Sequence, residues 1–424
     1  MTAPRLVEHF FRHEYGRLVA IMSRRVGVRH LPAIEDAAQS ALMKALEAWK
    51  LGGLPDNPTA WLFRVAQNAL AGELRQRTRR KHLLDALAVE PIDTPGLAPE
   101  YPDQEDVEDD MLRMLFACCD ESIPIESQTV LALKTLCGFS VKEIALRLFT
   151  TEANAYKRLG RARARLRQRP LQLDEFSDAQ FTSRQPSVSR VLYALFSEGY
   201  LSSAADFSIR RELCDEALRL CTLLSSHPAG QVPEVFALMA LMNLHLARMT
   251  ARQDGFGGLL LLEEQDRTRW DQNRIAAGLR WLAKSAQGDL LSRYHAEAAI
   301  AAEHCLAPSV DQTRWDRVTE CYAMLDNVAP SPLNRLNRAV AMAEWLGPEA
   351  GLAVLTSFEA PHWLLTSHIW PAVLADLYRR TGDVEKAASY TEEALRLAPN
   401  AAVANLLHRR LQPGTQELAN RTSS

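Results

Sequence analysis

Apolar residues return every third or fourth position along nearly the whole chain, the period of helices that bury one face. Runs that alternate apolar and polar residues between turn signals are missing. The pattern predicts an all-α protein. Its first stretch reads as helices at about 5 to 26, 34 to 50 and 58 to 81, punctuated by Leu31-Pro32 and by the run from Gly52 to Pro58. A second helical stretch is expected from about 108 to 169. After a polar connection near Asp174 to Pro186, helices resume and continue to about Arg410.

In the helix that starts near Ile34, the residues Ile34, Ala38, Ala41, Leu42, Ala45 and Trp49 share one face, and Glu35, Asp36, Gln39, Lys44 and Glu47 lie away from it. On its own this is a core helix with a solvated back. The next helix carries two stripes. Trp61, Leu62, Val65, Ala66 and Ala69 make the first, a core stripe. Arg64, Gln67, Asn68, Arg75 and Arg79 make the second, staying within about 60° of a common line at about 100° per residue. Cations suit a helix C-terminus for dipole reasons alone, so a solvated face is one reading of the run from Arg75 to Lys81. Its density of Arg favours phosphate contacts, with Gln67 and Asn68 able to hydrogen-bond base edges.

Further along, Ser140 to Leu148, then Phe149-Thr150, then a helix from Thr151 to about Arg167 form a helix-turn-helix pattern. Ser140 is placed to cap the first helix with Glu143 completing a capping box, and Thr151 to cap the second. In that second helix Ala155, Leu159, Ala162 and Leu166 form the expected buried stripe. Asn154, Lys157, Arg158, Arg161 and Arg165 project away from it, as a helix entering the major groove requires. Arg pairs bidentately with guanine and Asn with adenine.

The formal charge of -3 is at odds with nucleic-acid binding until it is divided along the chain. From Met1 to Leu83 there are 14 Lys and Arg against 7 Asp and Glu. From Leu84 to Asp110 there are 10 acidic residues and no basic one, and from Met111 to Pro170 the count is 11 basic against 5 acidic. Two basic modules therefore flank an acidic tether rich in proline, whose composition favours a linker. Other chemistry is thinly represented. No Gly-rich phosphate loop, nucleophile elbow or clustered carboxylate pair appears, so neither catalysis nor a cofactor is expected. His9 and His13 are one helical turn apart, but without a third ligand they read as a surface coincidence rather than a metal site. Seven cysteines with no CxxC pair predict reduced, mostly buried thiols. With no apolar run long enough to cross a bilayer and no signal-peptide centre, a soluble cytoplasmic protein is expected.

The stretch Ile34 to Leu46 resembles the polymerase-binding helix of extracytoplasmic-function sigma factors, and Asn57 to Asn68 resembles their region for promoter melting and minus-10 recognition. Residues 111 to 169 are similar to their region four, which reads the minus-35 element. The resemblance implies core RNA polymerase and promoter DNA as partners, through the beta-prime clamp helices and the beta flap. Asp36 and Gln39 would face the clamp helices, and the stripe from Arg64 to Arg79 would meet DNA. The acidic tether would mimic nascent RNA in a basic polymerase channel. Gly160 inside the recognition helix is a departure, costing about 1 kcal/mol against alanine.

In the second half, Leu374 to Asn400 resembles a tetratricopeptide repeat, with Ala375, Gly382, Ala387 and Ala394 as the small residues where two helices touch and Thr391 in place of the usual aromatic. A weaker copy spans about Leu336 to Leu355, with Gly347 at its turn. Since repeats must stack, one solenoid is expected from Val188 onward. The stretches Leu192 to Tyr200 and Leu262 to Asp271 look like signatures of the sigma-factor group that carries such a C-terminal domain. The charges of Glu263, Glu264, Asp266, Arg267, Arg269 and Asp271 read either as a binding groove or, preferably, as a structural ion-pair network. The expected organisation is region 2 over residues 1–83, linker over 84–110, region 4 over 111–170 and a tetratricopeptide-like α-solenoid over 186–412. The expected function is promoter recognition, with the C-terminal domain regulating or assisting. The alternative is a stand-alone helix-turn-helix regulator fused to a sensor or partner-binding solenoid.

Overall fold

The computed structural model describes residues 3–84, 104–148, 150–168, 176–200, 211–253, 260–399 and 401–411. All its regular elements are helices, and no β-strand occurs among the described residues. The chain divides into two compact units, one formed by residues 1–199 and 215–230, the other by residues 200–214 and 231–424.

In the first unit α1 (Ala3–Val26), α2 (Leu31–Gly52) and α3 (Pro58–Leu84) lie where the periodicity puts them. Leu31 and Pro32, read above as a break, are instead the first residues of α2, where proline has no helical N–H to forfeit. The break is the preceding 3-10 turn Val28–His30, entered through Gly27 at a φ of 87°. Gly53, at a φ of 76°, ends α2 and donates its N–H to the Trp49 carbonyl. Leu18, Val19, Ile21, Ile34, Ala38, Ala41, Leu62 and Ala66 form the core between these helices. Phe63, absent from the expected stripe, is also buried, with the Arg25 guanidinium 4.9 Å from its ring centre.

The second module comprises α4 (Gln104–Cys118), α5 (Ile125–Thr135), α6 (Val141–Arg147) and α7 (Glu152–Gln168). Residues 104–110, expected within the linker, are the first turns of α4, where Asp110 is buried and accepts from Arg24 at 2.8 Å. The rest of the tether, residues 85–103, lies outside the described residues. Both expected caps form. Ser140 and Glu143 exchange bonds of 3.2 and 2.7 Å, and the Thr151 hydroxyl accepts from the Asn154 N–H. Ala155, Leu159, Ala162 and Leu166 are buried, and α7 runs unbroken through Gly160.

α8 (Asp178–Tyr200) corrects the expected polar connection, because it runs straight through Pro186. Ser177 and Gln180 form a capping box that starts it, and both Pro186 and Thr182, whose carbonyl loses its donor, are exposed. Most of α8 and of α9 (Arg211–Ser226) belongs to the first unit. The tie is chemical. Arg184, 4% exposed, donates to the Phe116 carbonyl at 3.2 Å and to Asp120 at 2.5 Å. Phe181 meets Phe116 edge-on at 4.8 Å and His227 at 4.5 Å.

The second unit is a succession of packed helices. α10 (Pro233–Ala247), buried along almost its whole length, packs on α11 (Gln272–Ser285) and α12 (Arg293–Leu306). α13 (Trp315–Val328), α14 (Pro332–Leu346) and α15 (Pro348–Thr356) follow, each against its predecessor. The short α16 (His362–Leu365) precedes α17 (Ile369–Thr381), α18 (Val384–Arg396) and α19 (Ala401–Leu411). The two expected helix pairs are present, with Gly347 and Gly382 at their turns in positive φ of 99° and 84°. Ala375, Ala387 and Ala394 are buried, and Tyr378 stacks parallel to Tyr390 at 5.7 Å.

Arg184→Ala should leave Asp120 unpaired and lower the stability of the first unit by about 3 kcal/mol, the cost of breaking a buried ion pair. Urea denaturation checks this; an unchanged midpoint would make α8 dispensable to that unit.

Candidate nucleic-acid interface

On α2 the side chains of Asp36, Gln39, Lys44 and Glu47 are exposed, as expected. Met43, 60% exposed, lies in the same stripe and was not singled out in the sequence because an apolar residue there reads as core. Arg64, Asn68 and Arg75 are exposed on α3, and Gln67 is half-buried. Arg75 donates to the carbonyl of Ala71 at 3.1 Å. Arg79 falls on α3 where side chains lie outside the described residues. Between α2 and α3 a cleft of about 470 Å³ is lined by Lys44, Glu47, Ala48, Trp61, Val65 and Asn68. Trp61 and Trp49 meet at a tilt of 57°, their ring centres 5.6 Å apart.

On α7 Lys157, Arg161 and Arg165 are exposed, whereas Asn154 and Arg158 are half-buried. The Asn154 amide donates to the Thr150 hydroxyl at 2.7 Å, so one of its hydrogen-bonding groups is spent on the turn. The face opposite the buried stripe also carries Ala153 and Gly160, both exposed, and a Cβ built on Gly160 meets nothing within 4 Å. Tyr156, 60% exposed, adds an aromatic ring to this surface that apolar periodicity does not mark.

Glu35, expected on the solvated back of its helix, is buried at 2% exposure. Its carboxylate accepts from the Thr135 hydroxyl at 3.0 Å and from Arg163. Burial raises its pKa despite the Arg163 charge. No local signal marks the difference, because the partners are 100 and 128 residues away.

Residues 10–80 match the family Sigma-70 region 2, and residues 113–166 match Sigma-70, region 4. An uncharacterized protein, R00370, of Rhizobium meliloti (strain 1021) is 33% identical over 387 residues, covering 90% of each chain. The chain belongs to the sigma-70 family. No solved structure matches it. Every candidate site residue named on α2, α3 and α7 of this sigma-70 protein falls within the two matched regions, which are DNA-binding, transcription-initiation regions. Residues 184–286 match a family of unknown function, DUF6596, which takes in most of α8 and the whole of α9 to α11. Among the described residues no helix is long and apolar enough to cross a membrane.

Within that third match Glu263, Gln265, Asp266 and Arg267 line a cleft of about 410 Å³ with residues 308–311, and two ion pairs reach out of the charged stretch, from Glu264 to Arg409 at 3.5 Å and from Asp271 to Arg274 at 3.9 Å. Asp266 caps the 3-10 turn at Thr268, and Asp271 caps α11 through the Asn273 and Arg274 N–H groups. Arg267 donates to the carbonyls of His304 and Ala307 at 2.6 and 2.7 Å, and Arg269 to that of Thr250 at 2.7 Å. The charges satisfy backbone groups rather than one another. Arg248 and Arg267 also lie 5.0 and 4.5 Å from the Trp270 ring centre, and Arg252 lies 3.8 Å from that of Tyr200.

Burial beside these guanidinium groups pushes the pKa of His245 down to about 3 and that of His304 down to about 4. Both imidazoles are less basic in the fold than in an unfolded chain, whose histidines titrate near about 6.5, so their contribution is complete above that pH and is lost as pH falls through the folded values. The second unit should accordingly melt at a lower temperature near about pH 5 than near about pH 7, and His304→Gln should flatten that slope. Thermal melts of both chains across this range check it; parallel slopes would remove His304 from the effect.

Proposed function

We propose that the chain is a sigma subunit of the extracytoplasmic-function type, which binds core RNA polymerase and directs it to promoters. What carries the reading is the division of labour on two helices. α3 and α7 each bury an apolar side in the first unit and leave Arg64, Arg75, Lys157, Arg161 and Arg165 exposed. Such cationic faces neutralise phosphates and, where Arg reaches a guanine edge, read sequence. On α7 the absence of a side chain at Gly160, in the middle of the exposed face, lets the backbone come close to a groove. Asp36, Gln39 and Met43 on α2 offer a mixed polar and apolar surface to the clamp helices of the polymerase. The cleft beside Trp61, with Lys44 and Asn68 at its wall, has the aromatic face and hydrogen-bonding groups that a base from the melted minus-10 strand requires. The C-terminal helical half is read as tetratricopeptide-like and as a regulator or helper of these modules, on the strength of its stacked helix pairs with small residues at their contacts.

Run-off transcription with purified core polymerase, with and without the protein, is the direct test. Asp36→Lys should weaken co-purification with core polymerase without unfolding the chain, because Asp36 is exposed; wild-type yield would count against the assignment. The pair Arg158→Ala and Arg161→Ala should lower promoter-specific initiation by about tenfold for each side chain that reads a base, with the larger share at the exposed Arg161. Unchanged initiation and an unchanged salt slope would take α7 off the promoter. Truncation tests the C-terminal half. It belongs after Gly230 rather than after Pro170, because α8 and α9 are part of the first unit. Activity equal to that of the full chain would make the second unit a separate binding module.

A further inference from the structure

Three guanidinium groups gather in the second unit without a matching carboxylate. Arg248 caps the end of α10 and Arg252 the turn after it, and they are 9% and 8% exposed. Half-buried Arg267 lies in the turn before α11. Arg252 donates to the Tyr200 carbonyl, Arg267 to those of His304 and Ala307, and Arg248 to the Gln265 amide oxygen at 3.3 Å. Among the described residues none of the three is paired with a carboxylate. Burial, and after it the Arg248 charge, lowers the pKa of Arg267. Arg248 Nε, Arg267 Nη2 and the Trp270 indole N–H are buried without an acceptor. Donors taken out of water in this way are costly until an acceptor reaches them.

The cleft of about 410 Å³ opens beside these groups. Arg267 is part of its wall, and so is Gln265, the buried acceptor of Arg248. Its rim has the opposite sign, with the carboxylates of Glu263, Asp266 and Asp311 exposed there. Asp266 is taken up by the N–H and hydroxyl of Thr268, at 2.9 and 2.6 Å, which leaves Glu263 and Asp311 to face the opening. Pro308 and Val310 supply an apolar side. This rim repels a simple anion, and a simple cation gains nothing from the guanidinium groups behind it. We propose that the cleft binds a small zwitterion of the α-amino-acid class, a free amino acid or a dipeptide, with its carboxylate on Arg267 and Arg248 and its ammonium on Asp311 and Glu263. The volume lies at the small end of the range for such sites, about 300 to 1,000 Å³. The Arg248 bond to Gln265 is long beside the roughly 2.8 Å of a guanidinium–carboxylate bond, so a ligand carboxylate displaces the amide oxygen favourably. None of these residues lies in region 2 or region 4, so the site stands or falls apart from the sigma reading.

Isothermal titration calorimetry on the full chain tests the site. The probes are the proteinogenic L-amino acids and dipeptides with uncharged side chains, with butylamine and butyrate as carriers of one charge each. At least one zwitterion should bind with a Kd below about 1 mM, and both single-charge compounds about tenfold more weakly or worse. Asp311→Asn should weaken that zwitterion by about fivefold through loss of the rim charge. Gln265→Glu is the decisive variant. It keeps the size of the side chain and places a carboxylate on Arg248, so the chain should melt no lower than the wild type while zwitterion binding falls by about tenfold or more. Gln265→Leu removes the competing amide oxygen and should bind at least as tightly as the wild type, which a purely structural Gln265 would not allow. Failure of every zwitterion to bind, butyrate or butylamine binding as tightly as the zwitterion, or wild-type affinity in Asp311→Asn or Gln265→Glu would each overturn the proposal.

Discussion

A carboxylate placed in a protein interior has to be met by donors, and Glu35 is met by Thr135 and Arg163 from the other promoter-reading module. That requirement fixes how α1 and α2 lie against α5 and α7. It explains why a glycine stands at position 16, why Thr135 is buried, and why Arg163 is withdrawn from the cationic face formed by its neighbours Arg161 and Arg165. Arg184 does the equivalent for the next segment. By reaching Asp120 and the Phe116 carbonyl it makes α8 part of the module that a reader of the sequence would have ended at residue 170.

What was legible in the sequence is what is local. The caps at Ser140, Glu143 and Thr151, the buried stripe of α7 and the turns at Gly347 and Gly382 depend on residues within a helical turn or two of one another, and all are present. The exposure of Asp36, Gln39, Arg64, Asn68, Lys157, Arg161 and Arg165 follows from the same periodicity. What was not legible depends on distant partners. Glu35 has the pattern of a solvated residue and the environment of a core one. Pro186 looks like a terminator, yet α8 carries it on an exposed turn while Phe181 and Arg184 hold the helix down. Between Glu263 and Asp271 the charges suggested pairing with each other, but carbonyls and N–H groups at helix ends took them up instead.

The two units use buried charge in different ways. In the first, carboxylates and guanidinium groups meet across modules, as in Arg24 with Asp110, Arg163 with Glu35 and Arg184 with Asp120. In the second, around Trp270, arginines are served by carbonyls and aromatic rings, and the nearby histidines are held neutral. The first scheme ties segments that are far apart in sequence by groups that can also be separated and hydrated. The second builds a site in which removing the Arg267 guanidinium takes a donor from two backbone carbonyls.

Position 16 shows how such a fold constrains its own improvement. A glycine inside a helix gives up about 1 kcal/mol relative to alanine, so any selection or design that scores α1 by itself would replace it. The replacement methyl group would occupy the space taken by the Leu136 carbonyl, and the more stable helix would no longer fit its neighbour. Local helix strength and the meeting of the two modules therefore pull this residue in opposite directions, and sequences of this architecture can gain one only by giving up the other.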